Sequence, residues 1–119
     1  MNWNLDKGRP LSAQICETLC TAIVRGKFSP GDKVPSVREI GVEAGINPNT
    51  VQRALEELER QGVLYSVRGS GRFVSEDISA ARECFDRLCR NRTAEYFAAM
   101  EGLGMSAEEV LEFIKEFSL

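Results

Sequence analysis

The chain has 119 residues, of which 43% are hydrophobic and 28% charged, and its formal net charge is −3. This composition predicts a compact folded region with an extension, and it argues against disorder. No apolar run approaches the roughly 18 residues of a membrane span, and residues 1–10 lack the apolar stretch of a secretory signal, so we expect a cytoplasmic chain. Histidine is absent, which excludes Ser-His-Asp and Cys-His catalysis and every histidine-containing metal site.

Three helices are predicted in the first half of the chain. The first follows Pro10, where apolar residues recur at helical spacing. A short second helix begins at the capping box formed by Ser36 and Glu39. The third begins with Asn47 as its N-cap and Pro48 in its first turn. The apolar stripe of the third helix consists of Val51, Ala54, Leu55 and Leu58, and we expect it to be buried.

A hairpin and two further helices are predicted after these. The β-prone runs 63–67 and 73–74 flank a glycine-rich, basic tip, Arg68-Gly69-Ser70-Gly71-Arg72. A long fourth helix follows, and a final helix begins at a second capping box, formed by Ser106 and Glu109. The order of three helices and a hairpin predicts a mainly α fold, a winged helix-turn-helix over residues 1–75. Residues 76–119 are predicted to form a two-helix dimerisation segment.

The negative charge is concentrated in the second of these parts. Residues 1–75 contain ten Lys/Arg and eight Asp/Glu, a net charge of +2, whereas residues 76–119 contain five and ten, a net charge of −5. Because the local field steers a charged partner, the acidic total does not argue against nucleic-acid binding by the first part.

The outward face of the third helix has the side chains that recognise DNA. When the apolar stripe faces the core, Asn49 and Arg53 point away from it, flanked by Thr50 and Gln52. Such groups hydrogen-bond to phosphate oxygens and base edges. Glutamates follow on the later turns, so we expect the helix to enter a major groove by its N-terminal end. A capped helix with a solvated polar face is the alternative interpretation.

Residues 9–75 resemble the DNA-binding domain of the GntR family of bacterial transcription regulators. The elements that carry the resemblance are PSxRE, the NPNTVQRA start of the third helix, LExxG at its end and GxGxFV in the wing. These motifs are weak individually and highly specific when they occur together at these spacings. The sequence INPNTVQRALEELE and the short C-terminal segment are most similar to those of the YtrA-type subfamily. Other branches carry a larger effector domain or an aminotransferase-like domain.

The resemblance implies DNA contacts at Arg38, Asn49, Thr50, Arg68 and Gly69. The sequence departs from the pattern at Pro48 and Gln52, where many family members have arginine, so those base contacts are not carried over. Arg53 supplies a basic side chain on the same face instead. The full set of expected DNA-binding residues is Lys33, Ser36, Arg38, Asn47, Asn49, Thr50, Gln52, Arg53, Arg68, Gly69, Ser70 and Arg72.

The predicted function is that of a homodimeric transcriptional regulator, a repressor that binds double-stranded DNA at a palindromic operator. As in the YtrA-type subfamily, the helices after residue 76 would form the dimer contact, a transporter operon is the implied target, and a small-molecule effector is a candidate ligand. No cofactor, metal or membrane partner is expected. The expected dimerisation residues are Phe85, Leu88, Phe97, Met100, Leu103, Val110, Leu111, Ile114 and Phe117.

Other interpretations of the sequence stay open at this point. A winged helix that binds a protein and no DNA would need an acidic or apolar tip in place of this basic one. A small hydrolase would need paired carboxylates, for which Glu108, Glu109 and Glu112 are the candidates, although they resemble a solvated helix surface. The four cysteines, Cys16, Cys20, Cys84 and Cys89, are expected to be small buried hydrophobes, with a thiolate metal site or a redox switch as the alternative.

Overall fold

The computed structural model describes residues 1–117, so positions 118–119 of the predicted dimerisation segment lie outside the described residues. The architecture is mainly helical with one small antiparallel hairpin, which confirms the expected winged helix-turn-helix. In chain order the elements are α1 (Leu11–Val24), α2 (Val37–Ala44), α3 (Pro48–Arg60), β1 (Leu64–Val67), β2 (Gly71–Val74), α4 (Ser79–Glu101) and α5 (Ala107–Lys115).

The chain divides into two compact units, Met1–Phe85 and Asp86–Leu119. The first unit includes the beginning of α4, because Ala81 and Cys84 are buried and belong to the same core as the winged helix. Packing therefore continues past residue 76, the start of the predicted dimerisation segment, into about the first one and a half turns of α4.

The core of the first unit lies between α1, α3 and the hairpin. The apolar stripe of α3 is wholly inaccessible to solvent, as predicted, and it packs against α1. Burial of four such side chains on one face fixes the roll of α3 about its axis. The other large, fully buried side chains of this core are Ile15, Leu19, Ile40, Val63 and Val74.

The turn between α2 and α3 is tightly specified by its residues. Ser36 and Glu39 form the predicted capping box at the start of α2. Gly45 ends that helix with a φ of 68°, a left-handed conformation in which glycine pays no steric penalty. Gly41 packs closely against this turn, because a Cβ there would lie 3.1 Å from the carbonyl oxygen of Ile46. The two helices can therefore cross closely.

The wing has more backbone pairing than the sequence predicted. Strands β1 and β2 pair antiparallel, with Ser66 opposite Arg72 and Val67 opposite Gly71. Residues 31–34 then run along the other edge of β2: the Val34 amide donates to the Arg72 carbonyl at 3.0 Å, and the Val74 amide donates to the Asp32 carbonyl at 2.8 Å. This third segment supports the hairpin, and nothing in the sequence predicts its pairing with β2.

The second unit contains the rest of α4, and α5 with the predicted capping box of Ser106 and Glu109. Val110 is completely buried within the chain, so it is not available to a partner, and this corrects its place among the dimerisation residues. Several other large apolar side chains of this unit are exposed: Tyr96, Leu103, Leu111, Phe113 and Phe117. Across residues 1–117, no helix combines the length and apolar character needed to cross a membrane.

Truncation of Leu55 to alanine tests whether the α3 stripe carries the stability of the first unit. Leu55 has no solvent exposure, so we expect the substitution to lower the free energy of unfolding by about 2–5 kcal/mol, measured by urea denaturation at one protein concentration. Val42→Ala is the matched control, because Val42 is 81% exposed, and its effect should stay within about 0.5 kcal/mol. Equal effects of the two substitutions would contradict this account of the core.

Candidate nucleic-acid interface

The N-terminus of α3 is capped by the side chain of the preceding residue. The Asn47 side chain accepts a hydrogen bond from the Asn49 amide at 2.8 Å, and Pro48 occupies the first helical position. Asn49 and Arg53 are exposed one turn apart, whereas Thr50 and Gln52 are half-buried on either side of them. These placements match the outward face that the sequence predicted. The side chain of Asn47 is used as a cap.

A basic side chain also projects from the start of α2. Arg38 is exposed in the first turn of that helix, next to the Ser36 cap. The Ser36 hydroxyl accepts a hydrogen bond from the Glu39 amide, and the Glu39 carboxylate accepts one from the Ser36 amide. The hydrogen bond from the Ser36 amide, with a smaller effect of the Ser36 side chain, holds the pKa of the Glu39 carboxyl below its usual value. Ser36 thus fixes the helix start from which Arg38 projects.

The tip of the wing is exposed and glycine-rich. Arg68, Gly69 and Ser70 form the turn, which the Ser70 amide closes by donating to the Val67 carbonyl at 2.9 Å. Gly71 follows with a φ of 120°, and a Cβ there would lie 3.0 Å from Cε of Lys33. Glycine at this position therefore lets the Lys33 side chain lie against the wing.

Several cations of this surface are exposed and form no ion pair in the part of the chain that the structure describes. Within residues 1–117, no ion pair involves Lys33, Arg38, Arg53 or Arg68. Arg60, in contrast, pairs with Glu57 at the far end of α3. Unpaired exposed cations are available to phosphate oxygens, and their positions at the N-terminal end of α3, in α2 and on the wing agree with groove entry by that end of the helix.

Arg72 does not belong with these unpaired cations, although the sequence predicts it among the DNA-contacting residues. Its side chain is only 18% exposed, and its guanidinium pairs with the carboxylate of Glu59 in the last turn of α3. The Ser66 hydroxyl donates to the same carboxylate oxygen at 2.7 Å. These two hydrogen bonds, with that from Ser66 the stronger influence, lower the pKa of Glu59.

The sequence did not identify Glu59 as a partner of the wing. Its place on a late turn of α3 indicates only a glutamate that phosphate would repel. The signal that could have found it is the hairpin register, because a three-residue turn at positions 68–70 places Ser66 opposite Arg72 on one face. The remaining expected DNA-binding residues all lie in the first unit, exposed or half-buried.

The cysteines fit the structural interpretation, with one exception. Cys16, Cys20 and Cys84 are buried, whereas Cys89 is exposed, contrary to the expectation that all four are buried. Burial raises the pKa of the Cys16 thiol to about 11, with smaller effects from Cys84 and Glu17. Among residues 1–117, no cluster of three or more Cys, Asp or Glu side chains could hold a metal ion.

Comparison with known families decides the classification. The model described as "Bacterial regulatory proteins, gntR family" matches residues 11–74, more than half of the chain. The chain belongs to the GntR family. Over nearly its whole length, 99% of this chain and 98% of the relative, it is 37% identical to the HTH-type transcriptional regulator YhcF of Bacillus subtilis. It is 34% identical to the repressor YtrA of the same organism, over 92% of this chain and 85% of YtrA.

These two relatives support the assignment to the YtrA-type subfamily, and solved structures agree with it. A GntR family transcriptional regulator from Listeria monocytogenes superposes with a TM-score of 0.80 at 32% identity, covering 96% of this chain and all of that one. The DNA-binding domain of AraR, solved in complex with operator ORE1, superposes with a TM-score of 0.55 at 34% identity, covering 63% of this chain and 94% of that one.

The family consists of regulatory proteins, and this favours a regulator over the small hydrolase that the sequence left open. Two of the three carboxylates considered for hydrolysis have partners within the α5 region. Glu109 completes the capping box of α5, which keeps its pKa below the usual value. Glu112 pairs with Lys115 at 3.1 Å.

Thiol labelling tests the assigned environments of the cysteines. We expect a maleimide at pH 7.5 to modify one thiol per native chain rapidly, because only Cys89 is exposed and the raised pKa of Cys16 keeps that thiol protonated. Mass spectrometry should assign the label to Cys89, and a Cys89→Ser variant should show no fast phase. All four thiols should react in denaturant. Rapid native labelling of Cys16 would contradict the packing described here.

Proposed function

We propose that this GntR-family regulator is a homodimeric repressor that binds a palindromic DNA operator. The observation that carries the proposal is the polar, cationic surface at the N-terminal end of α3, where Asn49 and Arg53 are exposed and Arg38 of α2 and Arg68 of the wing have no ion pair among residues 1–117. The name of the relative YtrA, a transcriptional repressor, supports the direction of regulation.

In the proposed complex, each subunit places the N-terminal half of α3 in a major groove. Asn49 and Arg53 would contact base edges, since amide and guanidinium groups recognise adenine and guanine through paired hydrogen bonds. Arg38 would contact the phosphate backbone beside the groove, and Arg68 with Gly69 would approach the adjacent minor groove. The partial positive charge at the helix N-terminus further favours nearby phosphate.

The second unit supplies the proposed dimer contact. Leu103 is 78% exposed, Phe117 59% and Leu111 52%, although each is a large apolar side chain. Burying such groups against a second subunit is favourable at about 25 cal/mol per Å² of apolar surface, and two-fold dimers are the commonest assemblies. Such a dimer would present two α3 helices about 34–36 Å apart, one turn of DNA, which matches a palindromic site.

The cellular location, the regulated target and the effector are further parts of this proposal. An operator on the chromosome places the proposed regulator in the cytoplasm. A transporter operon as the regulated target, and a small-molecule effector as an inducer, are proposals that rest on the resemblance to the YtrA-type subfamily.

Salt dependence of DNA binding tests the proposed interface. Arg38, Arg53 and Arg68 of two subunits provide about six phosphate or base contacts, so the slope of log affinity against log salt should be near −5. Sites selected from random duplexes supply the operator, and fluorescence anisotropy gives the affinities. Arg53→Ala should weaken binding to the operator by about 1–3 kcal/mol and should broaden the set of selected sequences. Arg60→Ala is the matched control, because Arg60 pairs with Glu57 at the far end of α3. A slope near zero would rule out DNA binding as the function.

Substitution of the exposed apolar residues of α5 tests the dimer. We expect Leu111→Glu combined with Phe117→Glu to shift the protein from dimer to monomer in sedimentation velocity, because two charges would have to be desolvated in the contact. Binding to a full palindrome should fall to the affinity of a half-site, since the two halves no longer act as one ligand. Glu108→Gln, an exposed change on the same helix, should leave both properties unchanged. A variant that stays dimeric would place the contact elsewhere.

A further inference from the structure

One side-chain cluster joins the recognition helix to the wing. Glu59 lies in the last turn of α3, and its Oε1 atom accepts hydrogen bonds from Ser66 of β1 and Arg72 of β2. The two donors come from directly opposed positions of the hairpin. A single carboxylate oxygen therefore ties both strands of the wing to the same point on α3.

The Glu59–Arg72 ion pair is sheltered, which distinguishes it from the other side-chain ion pairs of residues 1–117. The Arg72 and Glu59 side chains are 18% and 30% exposed, whereas those of Arg90 and Asp86 are 77% and 61% exposed. Exposed pairs are screened by salt and contribute little. A sheltered pair with a further hydrogen bond from Ser66 keeps its geometry at the ionic strengths used for DNA binding.

The cluster lies one ladder pair away from the tip of the wing. Val67 and Gly71 form the next pair of the ladder, and the turn that carries Arg68 and Gly69 follows at once. Holding Ser66 and Arg72 in place therefore fixes both strands one residue before the turn. The cluster also occupies the Arg72 guanidinium, which would have to leave Glu59 before it could bind a phosphate.

We propose that Glu59, Ser66 and Arg72 form a wing latch, which fixes the wing tip relative to α3 so that both elements meet DNA in one geometry. Arg72 is then a positioning residue that acts through Glu59 and makes no phosphate contact of its own. The inference rests on the proposed DNA-binding function, because it assigns how the two DNA-contacting elements are held together.

The salt slope of operator binding separates a latch from a phosphate contact. Arg72→Gln should weaken binding about fivefold and leave the slope unchanged. A lost phosphate contact in each subunit would instead make the slope shallower by about 2, and that result would overturn the latch. Arg68→Gln is the matched control on the same hairpin, because Arg68 has no ion pair within residues 1–117, and this change should produce the shallower slope.

The two possible roles of Arg72, latch or phosphate contact, predict opposite effects of Glu59→Gln on operator binding. A latch predicts that Glu59→Gln weakens operator binding as much as Arg72→Gln does, and that the double variant is no weaker than either single one. If Arg72 were a phosphate ligand restrained by Glu59, removal of the carboxylate charge would release it and tighten binding. Tighter binding, or losses that multiply in the double variant, would overturn the proposal. Thermal unfolding of each variant confirms that the fold is retained.

A measurement without DNA keeps the latch distinct from the proposed function. Backbone NMR relaxation of the unliganded dimer should show greater mobility at Gly69 and Ser70 in Glu59→Gln and Arg72→Gln than in the parent chain. Mobility that is unchanged in both variants overturns the latch even if DNA binding is confirmed. Increased mobility together with a parent chain that binds no duplex supports the latch and rejects the proposed function.

Discussion

The burial of one apolar stripe on α3 determines most of what the first unit presents to solvent. Val51, Leu55 and Leu58 have no exposed surface, and their packing against α1 fixes the roll of the helix. Asn49 and Arg53 are exposed as a geometric consequence, since positions on the opposite side of a helix of 3.6 residues per turn must point outward. The recognition surface is therefore set by hydrophobic packing, and its polar side chains need no interaction of their own to be placed there.

The distribution of charge along α3 is the second constraint. The first half of the helix carries polar and basic side chains toward solvent, and the second half carries glutamates. Two of those glutamates have partners: Glu57 pairs with Arg60 and Glu59 pairs with Arg72. In the proposed complex, this distribution favours approach of a phosphate backbone to the N-terminal turn of the helix. An acidic chain can thus carry a surface suited to DNA.

Local patterns in the sequence predicted the elements well, because their determinants are close together in the chain. The capping boxes at Ser36 and Ser106 and the Asn47 cap each depend on residues within a single turn, and all three were found as expected. Contacts between distant segments were missed. The pairing of residues 31–34 with β2 spans about forty positions, and no periodicity or composition signals it. The burial of Val110 was missed because an apolar residue on a short amphipathic helix can face either its own chain or a partner.

The acidic charge of the C-terminal part also bears on the proposed approach to DNA. Residues 76–119 carry a net charge of −5 against +2 for residues 1–75. Phosphates repel the acidic part and attract the basic one, and at physiological salt this difference acts over about 8 Å. In the proposed complex, this difference favours encounters of DNA with α3 and the wing before any specific contact forms. Concentrating the acidic residues in the C-terminal part of the sequence lets the chain keep a net charge that opposes aggregation. Arg38, Arg53 and Arg68 form no ion pair among residues 1–117, so these three cations are available to the proposed DNA partner.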